Sequence, residues 1–472
     1  MEKSKELAKN TIIISIGKVC TQFLSFLLLP LYTSILSTSE YGTVDLLMTY
    51  QQLIVCTVFC QIEQAIFRFL IEKRNNEKDS SIIISSCFLF VVIQTIVLGL
   101  VFLVLNAIGF PYALYLYWYV VAVMLSGLML QVSRGFGNNT IYALGSFISA
   151  ISTIIFNIIF LTIIKWNVKG MLLSYVCGNL LCAIFIFLKL KVYKYLKTNQ
   201  VDISKLKSCL QYSVPLIPNA LSWWIMSASD RTIVAAFLGT SYNGLLTVAH
   251  KFPSAYSTFY TVFNLSWTES ASLHIQDSDA DFFFRNVISK VYRLFAALAI
   301  GIIACMPFMF NILIRGNYSD AYYQIPIYMA SSLCQVFQGV YSVIYIAKKK
   351  TKEVAKSTVL SAAINIVTHL LMIKWIGLYA ASVSTLLAYL FLCVWRYFDL
   401  KKYMDVRFDM KLLFSSLIVG GIVCISYYIK NTVGCVISLV IAVVYCVYIN
   451  RAILHILIKS PNMIKKNFMK KE

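Results

Sequence analysis

The sequence predicts an all-α integral membrane protein of about 14 transmembrane helices. Two six-helix lobes would surround a central cavity, with two further helices at the C-terminal end. Composition, the spacing of apolar runs and an internal echo carry this expectation. Of 472 residues, 59% are hydrophobic and only 13% charged, against about 45–50% and about 25% in soluble domains. The mean hydropathy is +0.76. Apolar runs of about 20 residues, the length that crosses a bilayer as a helix, recur from end to end.

Taken in order, the runs near 11–36, 42–70, 81–105, 112–133, 141–164 and 170–189 make an N-terminal lobe over 1–189. A basic cytoplasmic linker follows at 190–211. The runs near 213–238, 242–267, 287–314, 322–347, 354–375 and 377–398 make a second lobe over 212–400. Two last helices, near 411–430 and 433–457, and a basic tail complete 401–472. The run after MEKSKELAKN is too long for a signal peptide and lacks a small-residue cleavage site, so it reads as the first span.

The net charge of +21 does not point to nucleic acid, because the bases sit in short loops between apolar runs. With a cytoplasmic N-terminus, roughly 31 of the 41 Lys and Arg fall inside, in EKRNNEKDS, the linker, KKKTKE and the tail. LSTSE, NAIGF, KWNVKG, FLGTS, RGNYSD, KWIG and KNTVG fall outside. Both ends therefore face the cytoplasm. The 13 cysteines lie mostly within apolar runs, with no metal-like spacing, and read as small core residues.

NIIFLTIIKWNVKG, from Asn157, is echoed by NIVTHLLMIKWIGLYA, from Asn365; TSEYGTVDLLMTY around Gly42 is echoed by GTSYNGLLTVAHKF around Gly244. The offsets, about 208 and about 202 residues, agree, as a duplication requires. They span six helices, an even number, so the repeats keep one topology. Parallel six-helix lobes that rock about a central cavity are a transporter plan.

Charges inside the spans mark candidate functional residues. In LSWWIMSASDRTIVAAFLGT, Asp230 and Arg231 lie near the bilayer middle, where a charge facing lipid costs at least ~3 kcal/mol. Neighbours on a helix point about 100° apart, so each needs a partner on another helix or a watery cavity. Both a structural ion pair and a cavity-lining coupling site satisfy that need. In CQIEQAIFRFL, Glu63 lies deeper than Arg68, which snorkels to the cytoplasmic end. Asp45 reaches the outer interface. Lys18, His250, Lys251 and His369 lie within spans, and a histidine there suits hydrogen bonding or proton coupling. Lys18, Arg68, Arg231, Lys251 and Arg396 outnumber Asp45, Glu63 and Asp230, so a shared cavity would favour an anion such as pyrophosphate.

No phosphate-binding GxxxxGK[ST] loop, HExxH or GxSxG is present, so no cofactor, metal or catalytic site is expected, and the chain is not read as an enzyme. The acidic DSDAD (Asp277–Asp281) reads as a solvated loop capping the next helix.

EYGTVDLLMTY, QIEQAIFRF, YSVPLIPNALSWWIMSASDRTIVAAFLG and YNGLLTVAHKF together resemble the Wzx-type polysaccharide flippases of the multidrug/oligosaccharidyl-lipid/polysaccharide exporter superfamily. PLIPN…SDR…FLG…G is the most specific piece. The resemblance implies a fourteen-helix fold in a bacterial cell membrane. It implies turning undecaprenyl-pyrophosphate-linked oligosaccharide, of O-antigen, capsular or exopolysaccharide type, from the cytoplasmic to the outer leaflet. Alternating access would be driven by a coupling ion (H+ or Na+) or membrane potential, with a glycan polymerase and export machinery as partners. Lys18, Arg68, Arg231 and Lys251 are candidates for headgroup contact; Glu63, Asp230, Asp45 and His250 for coupling or gating. Trp223 and Trp224 could stack on sugars, though belt and core roles suit them better. A drug or cation antiporter, a peptidoglycan-precursor flippase and, from another class, a membrane glycan polymerase or ligase are the rival readings.

Overall fold

The structure, a computed structural model, describes residues 26–74, 76–348, 350–405 and 409–451. Among them are sixteen α-helices and no strand. In order they are α1 (Leu29–Ile35), α2 (Thr38–Val58), α3 (Ile62–Lys73), α4 (Glu77–Ala107), α5 (Ala113–Gly135), α6 (Asn139–Ile158), α7 (Asn167–Lys189) and α8 (Ile203–Ser213). Then follow α9 (Ile217–Phe237), α10 (Thr240–His274), α11 (Ala280–Leu313), α12 (Ile325–Ala347), α13 (Thr351–Ile376), α14 (Tyr379–Leu400), α15 (Met410–Ile429) and α16 (Thr432–Ile449).

Ten helices among the described residues are long and apolar enough to cross a membrane, or eleven if the bent pair α2–α3 is one span. The expected fourteen is not reached by that measure. Most of the first expected span lies outside the described residues, and α9 and α10 are helices whose polar residues hold their hydropathy below that of a span. The expected span at 42–70 is broken: α2 and α3 meet at 53°. Cys60 and Gln61 there take left-handed φ of 52° and 53°, without the glycine or proline that marks a break in sequence. The expected linker contains α8, whose first turn Asp202 caps through Ser204 N at 2.8 Å.

The chain falls into two compact units, one running up to Val248 with Arg315–Ser319 and Ile366–Ala381, the other holding Ala249–Ile314, Asp320–Asn365 and the chain from Ser382 on. In the first unit four loops meet, and the basic segments bond neighbouring helices. Ser39 of LSTSE meets Thr240 of FLGTS, Glu40 accepts from Asn167 of KWNVKG at 2.7 Å, and Tyr318 of RGNYSD donates to Leu36 O at 2.9 Å. Arg74 donates to Gly135 O at 2.9 Å, and Ser81 and Ser85 donate to Tyr195 O in the basic linker. LSTSE, FLGTS, KWNVKG and RGNYSD thus contact one another.

The second unit has a polar knot in its core. Arg396 on α14 is almost fully buried. It donates to Gln338 O at 3.2 Å, Gln338 Oε1 at 2.5 Å and Ser342 Oγ on α12. On α13 it donates to Val354 O at 3.2 Å, Ser357 Oγ at 3.1 Å and Thr358 Oγ1 at 2.8 Å. Each hydroxyl donates its own proton to a backbone carbonyl and so offers only lone pairs to the guanidinium. Three helices are tied by one fork, which a lysine's single ammonium cannot reproduce. Arg396→Ala should lower unfolding stability by about 3 kcal/mol, read as a fall in Tm in detergent, and Arg396→Lys should not restore it.

Candidate functional site

The site grows from one face of α2. The helix opens on a capping box, Ser37 and Glu40 bonding each other's backbone N–H, which anchors its first turn. Ser39, Gly42, Asp45 and Thr49 follow at spacings of three, three and four and so share a face. Against that face lie α9 and the start of α10.

At the top of this seam the backbones touch. A Cβ on Gly42 would lie 1.9 Å from Thr240 O, and one on Gly244 would lie 1.9 Å from Thr38 O. The contact is reciprocal: each repeat's glycine takes the other repeat's first-turn carbonyl. Asn243 donates to Gly42 O at 2.7 Å, and the Ser39 and Thr240 hydroxyls lie 2.8 Å apart. Further along, Arg231 Nε bonds Asp45 Oδ2 at 2.5 Å, with the side chains 17% and 16% exposed. Trp224 Nε1 then donates to Thr49 O at 3.0 Å. From Ser39 to Thr49 the seam runs about 15 Å along α2.

Asp230, the neighbour of Arg231, faces elsewhere. Its Oδ1 lies 2.9 Å from Nδ1 of His369 on α13, and the two side chains are 5% and 0% exposed. Adjacent residues on one helix therefore engage two different helices, as their 100° separation requires. The Nε2 of His369 is buried without a hydrogen-bond partner.

The other expected residues are not gathered here. Lys18 lies outside the described residues. Arg68 is exposed and pairs with Glu72 at 2.9 Å, one turn along its own helix. Glu63 sits in the first turn of α3, just past the break, with Oε2 buried and unpartnered. Asp45, expected at the interface, is held in the seam by Arg231. In the second unit, His250 and Lys251 lie half-buried on α10, His250 with its ring 4.0 Å from that of Tyr328. Arg68, Arg231 and Arg396 each have polar partners, Glu72, Asp45 and a set of neutral acceptors respectively. Trp223 is 44% exposed. In the DSDAD loop Asp279 makes no capping bond, its backbone not being extended, and Asp277 instead pairs with His274 at 2.6 Å.

Sequence reasoning passed over Gly42, Gly244 and Asn243, and weighed His369 without a partner. The echo already placed Gly42 and Gly244 in register. With cysteines at 39 and 240, oxidation should cross-link the seam in full-length protein, and adding Gly42→Ala should cut the yield about tenfold by wedging the backbones apart; gel mobility after non-reducing electrophoresis measures it.

A family model described as polysaccharide biosynthesis protein matches residues 7–267. No curated protein matches the sequence. Among solved structures, the chain resembles the lipid II flippase MurJ in an inward closed conformation (TM-score 0.68, 14% identity, 95% of this chain and 100% of that one). It also resembles a multidrug resistance MATE family transporter of the MOP superfamily, inward-facing (TM-score 0.65, 12% identity, 82% and 98%). An outward-facing MATE family transporter gives a TM-score of 0.57 at 11% identity, over 84% and 96%. At such identities the likeness is one of fold.

Proposed function

We propose that this chain, which belongs to the polysaccharide biosynthesis protein family, is a flippase for undecaprenyl-pyrophosphate-linked oligosaccharide. It carries repeat units of O-antigen, capsular or exopolysaccharide type from the cytoplasmic to the outer leaflet of a bacterial cell membrane. An ion gradient or the membrane potential drives alternating access, and a glycan polymerase with its export machinery takes the product. The lobes at 1–189 and 212–400 are the parts that move.

The observation that carries the reading is the half-buried Asp45–Arg231 pair in a helix seam between repeats. An ionic seam within apolar helices is costly if it serves packing alone. It suits a contact that closes in one state and, when parted, presents a guanidinium to pyrophosphate, whose geometry its fork matches. The polyprenyl tail stays in hydrocarbon while the headgroup crosses in water, which avoids the prohibitive cost of charge in lipid. Lys18, Arg68 and Lys251 would add to headgroup contact, and Glu63 and His250 to coupling.

Binding of a fluorescent polyprenyl-pyrophosphate N-acetylglucosamine to purified protein tests the pair. Arg231→Gln should weaken binding about tenfold, or about 1.4 kcal/mol. Asp45→Asn frees the guanidinium and should strengthen it. A purely structural pair would give losses of the same sign. For topology, cysteines introduced in KKKTKE and RGNYSD should react with an impermeant maleimide from opposite membrane faces; labelling from one face would overturn the assigned sidedness.

A further inference from the structure

The Asp230–His369 dyad is a buried titratable pair that the headgroup reading does not use. We infer that it is the proton site of the coupled cycle, with His369 Nε2 as the atom that takes and releases the proton and protonation favouring the closed seam. The inference rests on the proposed ion-coupled flippase and names its ion.

Four observations meet here. The two side chains lie on different helices, 2.9 Å apart and sealed, at 5% and 0% exposure. Asp230 lies seven residues before the end of α9 at Phe237, and His369 seven before the end of α13 at Ile376, so both sit about 10 Å in from those ends. His369 Nε2 is buried with no hydrogen-bond partner, which leaves its lone pair open. Arg231, the nearest base in sequence, is already taken by Asp45.

The chemistry balances with nothing but a proton. An ionised Asp230 can only accept, so the neutral imidazole donates Nδ1–H to it and leaves Nε2 bare. In that form the dyad carries one negative charge. An incoming proton adds to the Nε2 lone pair, giving imidazolium against carboxylate and no net charge; release from the same atom restores the anion. Burying a net charge costs more than burying a hydrogen-bonded neutral pair, so the loaded dyad suits the sealed state and the empty one favours admission of water. Asp230 and Arg231 are consecutive on α9, so whatever moves the dyad moves the seam. The other charged groups on these packed elements are Asp45 and Arg231, bound to each other, Glu40 in the first turn of α2, bound to Asn167, and on α13 Lys374 near one end and Lys352, Glu353 and Lys356 near the other.

The test reads the seam itself and needs no substrate. Cysteines at 39 and 240, in full-length protein stripped of native cysteines, are cross-linked between about pH 5.5 and about pH 8. The ratio to an otherwise identical protein carrying His369→Gln, which keeps a donor toward Asp230 but cannot titrate, cancels thiol chemistry. The cross-linked fraction relative to that variant should rise roughly threefold toward low pH; Asp230→Asn should be as flat as His369→Gln. Parallel profiles for wild type and variants overturn the inference. If neither variant folds, a wild-type profile that does not rise relative to a cysteine pair at an unrelated helix contact overturns it. Flipping of the polyprenyl probe by wild-type protein in liposomes is scored separately. Flipping with a flat seam profile rejects the proton site alone, and no flipping with a pH-dependent seam rejects the flippase reading alone.

Discussion

A bilayer offers no water to an ionised side chain, and this constraint organises the first unit. Asp230 and Arg231 cannot satisfy each other across a turn of about 100°, and lipid satisfies neither. Each must find a helix that brings it a partner. Arg231 finds α2 through Asp45, and Asp230 finds α13 through His369. One dipeptide therefore fixes the neighbours of α9 on two sides, before any apolar packing is considered. The same demand shapes the second unit, where Arg396 gathers neutral acceptors from α12 and α13 instead of an acid.

The charges alone would not bring the helices close enough. A salt bridge can span a wide interface when long side chains reach for it, but Asp45 is short. The backbone contact at Gly42 and Gly244 sets the spacing: with a Cβ on either, α2 and α10 would have to part at the top of the seam. Small residues that let helices approach are the usual device where lipid supplies no hydrophobic drive. Here the device is doubled by the repeat, because TSEYG and TSYNG place their glycines in one register. Asn243 then uses the proximity, reaching a carbonyl that a bulkier neighbour would have covered.

The general fold was legible because it follows from quantities summed over many residues. Apolar run length gave helices near their observed places. The need for partners was also legible, from helix geometry at Asp230 and Arg231. Their identity was not. Asp45 and His369 stand 186 and 139 residues from their partners, and no local pattern spans that distance. The break at Cys60–Gln61 was hidden for a different reason. Left-handed residues other than glycine leave no mark in composition, and the apolar run continues through them. The partners of Arg68 and Arg396, a glutamate one turn away and a shell of hydroxyls, were likewise not weighed in the sequence.

A seam built of polar contacts differs from an apolar one in what happens when it parts. Separated apolar faces expose area to water at about 25 cal/mol per Å² with no compensation, so such a joint tends to stay shut. When Asn243, Ser39, Thr240 and the Asp45–Arg231 pair separate, water replaces each bond, and the net cost of a hydrogen bond is only about 1 kcal/mol. A contact of this kind is tightly specified in geometry yet weakly held against separation. Glycine contributes to both: it permits the close approach, and it leaves no side chain to anchor the two backbones once they move apart. In the proposed cycle, a charge step on the adjacent residue of α9 would act on that small balance.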